Sequence, residues 1–248
     1  MPPDRHATSF GRIATDYARA RPTWPLALFD RLGQLAPGRG AAADVGAGAG
    51  QATTGLLSCF DRVYAVEPSA TLRAAMPAHP RLVALPQAAE AMELPEPVDL
   101  VGVFQALHWF AGPAFWARVA ASLRPGGLLA VAGYGWFYVD PAVDALIEQQ
   151  LLPALAPHWS PRNRLVMEGY RGVEVPFPEL PAGPPLALEL AWTRAQLLDY
   201  LGTWSAVSTL REQGTDPLAA LGPELRVAWP DEGVRVVTMP LFLRVFRP

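Results

Sequence analysis

The sequence predicts an α/β fold, a doubly wound and mostly parallel sheet. Three observations predict it: short apolar runs alternate with helical patterns from residue 41 to 134, a glycine-rich turn follows the first run, and an acid closes the second. The turn is "AAADVGAGAG" at 41–50, where Asp44 precedes Gly46, Gly48 and Gly50 at alternate positions. Glycine lacks a Cβ, so this turn can reach positive φ and let ligand atoms lie against the backbone, with the N–H groups of a helix from Gln51 directed at the same place. The pattern points to a nucleotide-like cofactor.

Each element has its own signal. In "WPLALFDRLGQLA" (24–36), Leu26, Leu28, Phe29, Leu32 and Leu35 fall at helical intervals before Pro37 and Gly38 stop the helix. Strand one follows at 41–45, a helix at 51–58, and strand two at 62–66, ending in Glu67. Ser69 is a suitable N-cap for the next helix, and "LVAL" at 82–85 reads as strand three. The continuous apolar run at 98–107 suits a central parallel strand covered on both faces. A helix at 112–123, a turn at Pro125, Gly126 and Gly127, and strand five at 128–134 complete the alternating part. Right-handed crossovers then bring Gly46, Glu67, Ala89 and Gln105 to the carboxyl edge of the sheet, where ligands bind in such folds. Beyond Tyr134 come a helix at 141–155, a proline-rich loop through 185, a strand at 186–192, a long helix at 194–212, a helix at 216–225 and a last strand at 234–246.

The spacing of the turn selects among cofactors. A dinucleotide site wants G-x-G-x-x-G, but Gln51, Ala52 and Thr53 follow Gly50 with no third glycine in register. A P-loop needs a Gly-Lys-Ser/Thr end, and the chain has no lysine: all 20 basic residues of the Lys and Arg count are arginine. S-adenosylmethionine remains, since its amino-acid end carries no phosphate and its sulfonium is positive, which suits Asp44. Glu67 lies 17 positions beyond Gly50, where an acid at a strand tip accepts hydrogen bonds from ribose hydroxyls.

Composition narrows the function classes. With 248 residues, 51% hydrophobic and 17% charged, the chain can bury a substantial core as one domain. A formal net charge of -3 leaves no basis for a large cationic surface, so a small-molecule partner is expected and nucleic acid is not. Cys59 is the one cysteine, which excludes an internal disulfide and argues against a cysteine-based metal site. The first residues are polar and charged with no apolar core segment, so a cytoplasmic location and no membrane span are expected.

The chain resembles the class I S-adenosylmethionine-dependent methyltransferases, and within them the branch containing trans-aconitate methyltransferases and their small-molecule relatives. The residues carrying this are "FGRIATDYARARPTWP" (10–25), "DVGAGAG" (44–50), "AVEPSATLRAAM" (65–76), "AAEAMELPEPVDLVGVFQALHWF" (88–110), "LRPGGLLAVAGYG" (123–135) and "YLGTWSAV" (200–207). The resemblance implies a single Rossmann-like domain with seven strands. Residues 1–40 would form N-terminal lid helices, 41–135 the cofactor-binding core, 136–233 a substrate cap with strand six, and 234–248 a last strand antiparallel beside strand five. It also implies that Asp44, Gly46, Ala47, Gly48 and Gly50 line the methionine and ribose region, with Glu67 and Pro68 at the ribose. Ala89 and Glu90 would sit beside the adenine, Gln105 and Ala106 along the cofactor, and Tyr17 over its amino-acid end. Many relatives carry an Asp before the alanine of the adenine loop, whereas this chain has Ala88.

Methyl transfer from a sulfonium is an in-line displacement, so holding donor carbon and acceptor atom close and collinear is the first requirement. His108 is the candidate catalytic residue, as a base for an acceptor hydroxyl or as a histidine that shapes the loop. Arg21 is the first candidate for gripping an acidic substrate through paired hydrogen bonds, against a plain helix face packed on the sheet. Trp109 and Trp204, with Trp136, fall where lid and strand tips should meet and would wall an acceptor pocket, or else pack as ordinary core. Two function classes fit this reading: an enzyme methylating a small carboxylate or hydroxyl acceptor, and an inactive S-adenosylmethionine-binding regulator or partner subunit. A dinucleotide-dependent oxidoreductase is disfavoured by the glycine spacing.

Overall fold

The computed structural model describes residues 22–248; Tyr17 and Arg21 lie outside the described residues. Strands β1 (Ala41–Val45), β2 (Arg62–Val66), β3 (Leu82–Leu85), β4 (Val98–Phe104) and β5 (Leu123–Tyr134) form the parallel part of one sheet. Its antiparallel side holds β6 (Glu179–Leu180), β7 (Leu186–Trp192) and β8 (Arg235–Phe246). The order is β3-β2-β1-β4-β5-β8-β6, with β7 also on β8. The expected seven strands are present, the last antiparallel to strand five, and the two-residue β6 is an eighth.

Both faces of the parallel strands are covered, which explains their unbroken apolar character. On one face Ala42, Val63, Leu100 and Ala130 meet Leu28, Phe29 and Leu32 of α1 (Leu26–Leu35) and Ala52 and Leu56 of α2 (Gln51–Leu56). The alternate residues Ala43, Val45, Tyr64, Val101 and Val131 meet Phe115, Trp116 and Val119 of α4 (Pro113–Ser122) on the other. The short helix α3 (Ala70–Ala74) starts at Ser69, whose Oγ accepts from the Leu72 amide at 3.3 Å, as its sequence predicts. The Pro125–Gly127 turn is present as a bulge within β5: Leu123 pairs with Val98 and Leu128 with Leu100, so the residues between loop out, with Gly126 at φ +80.

A third apolar cluster lies beyond Tyr134. Here α5 (Pro141–Leu146) runs through a π-helical turn at Ile147–Leu151 into α6 (Leu152–Leu155), which together span the predicted helix. The proline-rich loop carries a helix the sequence reading lacked, α7 (Pro161–Met167), capped by Ser160. The predicted long helix at 194–212 is two: α8 (Arg194–Gly202), opened by a capping box at Thr193, and α9 (Ser205–Glu212). The break falls at Trp204, whose extended backbone turns its ring into the cluster of Trp136, Phe137, Trp159 and Tyr200. Then α10 (Pro217–Ala228) adds Leu218, Leu221 and Leu225 to the same cluster.

Candidate functional site

The sheet order reverses between β1 and β4, and the crevice beyond those strand tips is where an α/β sheet binds its ligand. Three tips converge there. Gly46 and Ala47 donate to the Val66 carbonyl at 2.9 and 3.2 Å, and the Gly48 amide donates to Glu67 Oε2 at 3.1 Å, which ties the β1 turn to the end of β2. Gly46, Gly48 and Gly50 stand at φ +70, +59 and +88, so the turn has the left-handed backbone that alternate glycines predict. A Cβ on Gly46 would lie 2.7 Å from Ala106 Cβ and 3.1 Å from Phe110, which shows how closely the β1 turn approaches the β4 loop.

The two acids differ in surroundings. Asp44, at the end of β1, is wholly buried; its Oδ2 accepts from Thr53 Oγ1 at 2.6 Å, and its Oδ1 has no partner. Loss of water drives its carboxyl up to about 7, a shift increased by the nearby Glu67 charge and opposed by the Thr53 hydrogen bond. An orphaned buried carboxylate oxygen is costly unless a ligand completes it, and a cationic ligand does so best. Glu67 is also raised by burial, against the amides of Ser69 and Gly48 and the charge of Arg73. Its Oε1 accepts from Ser69 at 2.8 Å and Oε2 from Gly48, so two backbone amides fix a carboxylate that still has lone pairs for hydroxyl groups. The residues present therefore fit a donor with a ribose and a positive centre. Thr53 was missed by sequence reasoning; its signal is a hydroxyl two residues into the helix that follows an acid-ended strand.

The other expected site residues have these surroundings. Pro68 is exposed beside Glu67, buried Ala89 opens a 3-10 turn (Ala89–Ala91), and Glu90 is exposed on that turn. Gln105 stands at φ +56, uncommon outside glycine, while its Nε2 donates to the Tyr134 carbonyl at 2.9 Å and its Oε1 is buried without a partner. Ala106 is buried, and His108 sits on a 3-10 turn (Leu107–Trp109) with Nδ1 2.8 Å from the Tyr170 hydroxyl. Trp109 is 49% exposed, with the Arg162 guanidinium 4.8 Å above its ring. Trp204 is buried in the aromatic cluster of the cap. Among the described residues no helix is long and apolar enough to cross a membrane.

Known proteins agree with this geometry. Residues 43–131 match the family model described as a methyltransferase domain. A solved protein of Anaeromyxobacter dehalogenans, named as a type II methyltransferase, is 43% identical; the match covers 92% of this chain and 97% of that one, with a TM-score of 0.86. A Dictyostelium discoideum protein named as a methyltransferase is 28% identical over 217 residues, 86% of this chain and 82% of that protein. An uncharacterised methyltransferase of Mycobacterium tuberculosis is 40% identical over 126 residues, 49% of this chain and 50% of its own length. This chain belongs to the methyltransferase family, and its sheet, glycine turn and paired acids make it an S-adenosylmethionine-dependent enzyme of class I.

Proposed function

We propose that the methyl acceptor is a small molecule bearing a carboxylate or hydroxyl, with a carboxylate favoured, as the resemblance to the trans-aconitate methyltransferase branch implies. The observation that carries this reading is Arg162, which lies over the exposed Trp109 beside His108 and makes no ion pair with any described residue. A guanidinium stacked on an indole presents a planar fork to a carboxylate. S-adenosylmethionine supplies an electrophilic methyl on a sulfonium and leaves as a neutral thioether. Asp44 faces the positive amino-acid end, Glu67 accepts from the ribose hydroxyls, and the turn of Gly46, Ala47, Gly48 and Gly50 lies along the donor. Pro68 borders the ribose, Ala89 and Glu90 border the adenine, and Gln105 and Ala106 run along the donor opposite the acceptor. His108 contacts the acceptor, Trp109 closes one side of its pocket, and Trp204 supports the other through Trp136 and Trp159. Tyr17 and Arg21 remain part of this proposal as residues over the donor and the acid. The formal charge of -3 fits a small acceptor rather than nucleic acid.

Label transfer from methyl-labelled donor to a panel of small acids, phenols and amines tests this. Acids should be methylated, and Arg162→Ala should raise KM for them about tenfold with donor affinity unchanged, the loss of one charge-assisted contact. Transfer confined to amines would overturn the acceptor class.

A further inference from the structure

Tyr170 lies outside the matched residues 43–131, yet it is held with unusual care. It stands at φ +55, directly after Gly169 at φ +62, in a left-handed conformation that a bulky aromatic rarely adopts. Its amide donates to the Leu165 carbonyl at 2.7 Å, and its own carbonyl accepts from Arg244 Nη1 at 2.6 Å. The ring meets Phe242 edge-on at 5.4 Å, and no part of the residue reaches solvent. Phenylalanine would fill the same space, so packing does not account for the hydroxyl. That hydroxyl sits 2.8 Å from His108 Nδ1, with the two rings only 20° from parallel.

We propose that Tyr170 is a positioning residue for methyl transfer, whose phenol fixes the plane and the tautomer of the His108 imidazole. The proposal rests on the reading of His108 as an acceptor-side group. A phenol O–H is a stronger donor than a neutral imidazole N–H, and an imidazole lone pair is a stronger acceptor than a phenol oxygen. Tyr170 therefore donates to Nδ1, and the proton of neutral His108 stays on Nε2. In that tautomer Nε2 carries a proton and has no lone pair with which to act as a base. It orients an oxygen that is already anionic and is not set up to deprotonate a neutral hydroxyl, which narrows the acceptor to a carboxylate or another preformed oxyanion. The segment after α7 thus acts as a bracket on the His108 loop, and Arg162 of the same helix grips that loop through Trp109.

Nitrogen NMR of the full chain labelled in its four histidines tests this directly, with the His108 signals assigned by their loss in His108→Asn. At pH 8 the wild-type Nδ1 should show the shift of an unprotonated, hydrogen-bonded nitrogen and Nε2 that of a protonated one. Tyr170→Phe should move the Nδ1 signal. A proton on Nδ1 in the wild type, or His108 signals unchanged by Tyr170→Phe, would overturn the proposal; the wild-type measurement stands even if the variant folds poorly. With the acid acceptor found by label transfer, Tyr170→Phe should lower kcat about tenfold with donor affinity unchanged, and cause no further loss in the His108→Asn background. Equal losses in both backgrounds would mean that Tyr170 does not act through His108. Full turnover in His108→Asn would instead remove His108 from the acceptor site, while the NMR result still decides whether Tyr170 sets its tautomer.

Discussion

At the residue scale, the raised carboxyl of Asp44 predicts, on its proposed role at the donor, that donor binding is linked to a proton. Its carboxyl titrates at about 7 in the folded chain against an ordinary 3.8, so the folded state holds a proton that the unfolded chain has released. Stability of the ligand-free protein therefore falls as pH rises from about 4 to 7, by up to roughly 4 kcal/mol, and levels off above. A positive ligand favours the ionised form, so donor affinity should rise from pH 6 to 8, and calorimetry in buffers of different ionisation enthalpy should register proton release near pH 7. Asp44→Asn should flatten both profiles; a dissociation constant already flat in the wild type would exclude Asp44 from the donor site. On its proposed role at the ribose, Glu67→Ala should weaken donor binding about a hundredfold, the loss of two charge-assisted contacts, and equilibrium dialysis would measure it. Asp44 and Glu67 were readable because an acid ending an apolar strand has few structural uses. Thr53 and Tyr170 were not, because a threonine in a helix and a tyrosine after a glycine become informative only when their hydroxyls meet Asp44 and His108 across 9 and 62 positions.

Elements were legible where an apolar run is bounded by turn residues. The runs at 41–45, 62–66, 82–85 and 186–192 are strands to the residue, bounded by glycine, proline or polar turns. The helix α7 escaped because it buries none of its residues and so shows no apolar stripe, and β6 exists only through its pairing with Val245 and Phe246. The break between α8 and α9 was hidden because Leu201, Trp204 and Val207 keep a helical spacing while tertiary packing of the indole decides the backbone. Glycines at two elements should separate fold from function. Gly55→Ala in α2 would drive a Cβ to within 1.9 Å of the Phe29 ring and should lower stability by about 1–3 kcal/mol, seen as a reduced urea midpoint. Gly46→Ala, strained at φ +70 and crowded by Ala106, should instead show its largest effect on donor binding in the same titrations.

At the scale of the molecule, three apolar clusters share one strand, β8, which gives Phe246 and Val245 to the two faces of the core and Val237 and Met239 to the cap. The first half of β8 pairs with β7 beneath the cap, and its second half, Leu241–Phe246, pairs with β5 in the core. Trp204→Ala would hollow out the cap cluster and should cost roughly 3–5 kcal/mol in urea unfolding, the range for a buried tryptophan. The shared strand has a kinetic consequence. Leu129 must find Phe246 across more than a hundred residues, so the outer rim of the parallel strands stays open until the whole intervening excursion has closed. In that interval β5 is an adhesive edge, one that dilution protects and crowding exposes to neighbours. Recovery from denaturant is accordingly a race between intramolecular zipping and intermolecular capture, won by the chain only when its copies are kept apart.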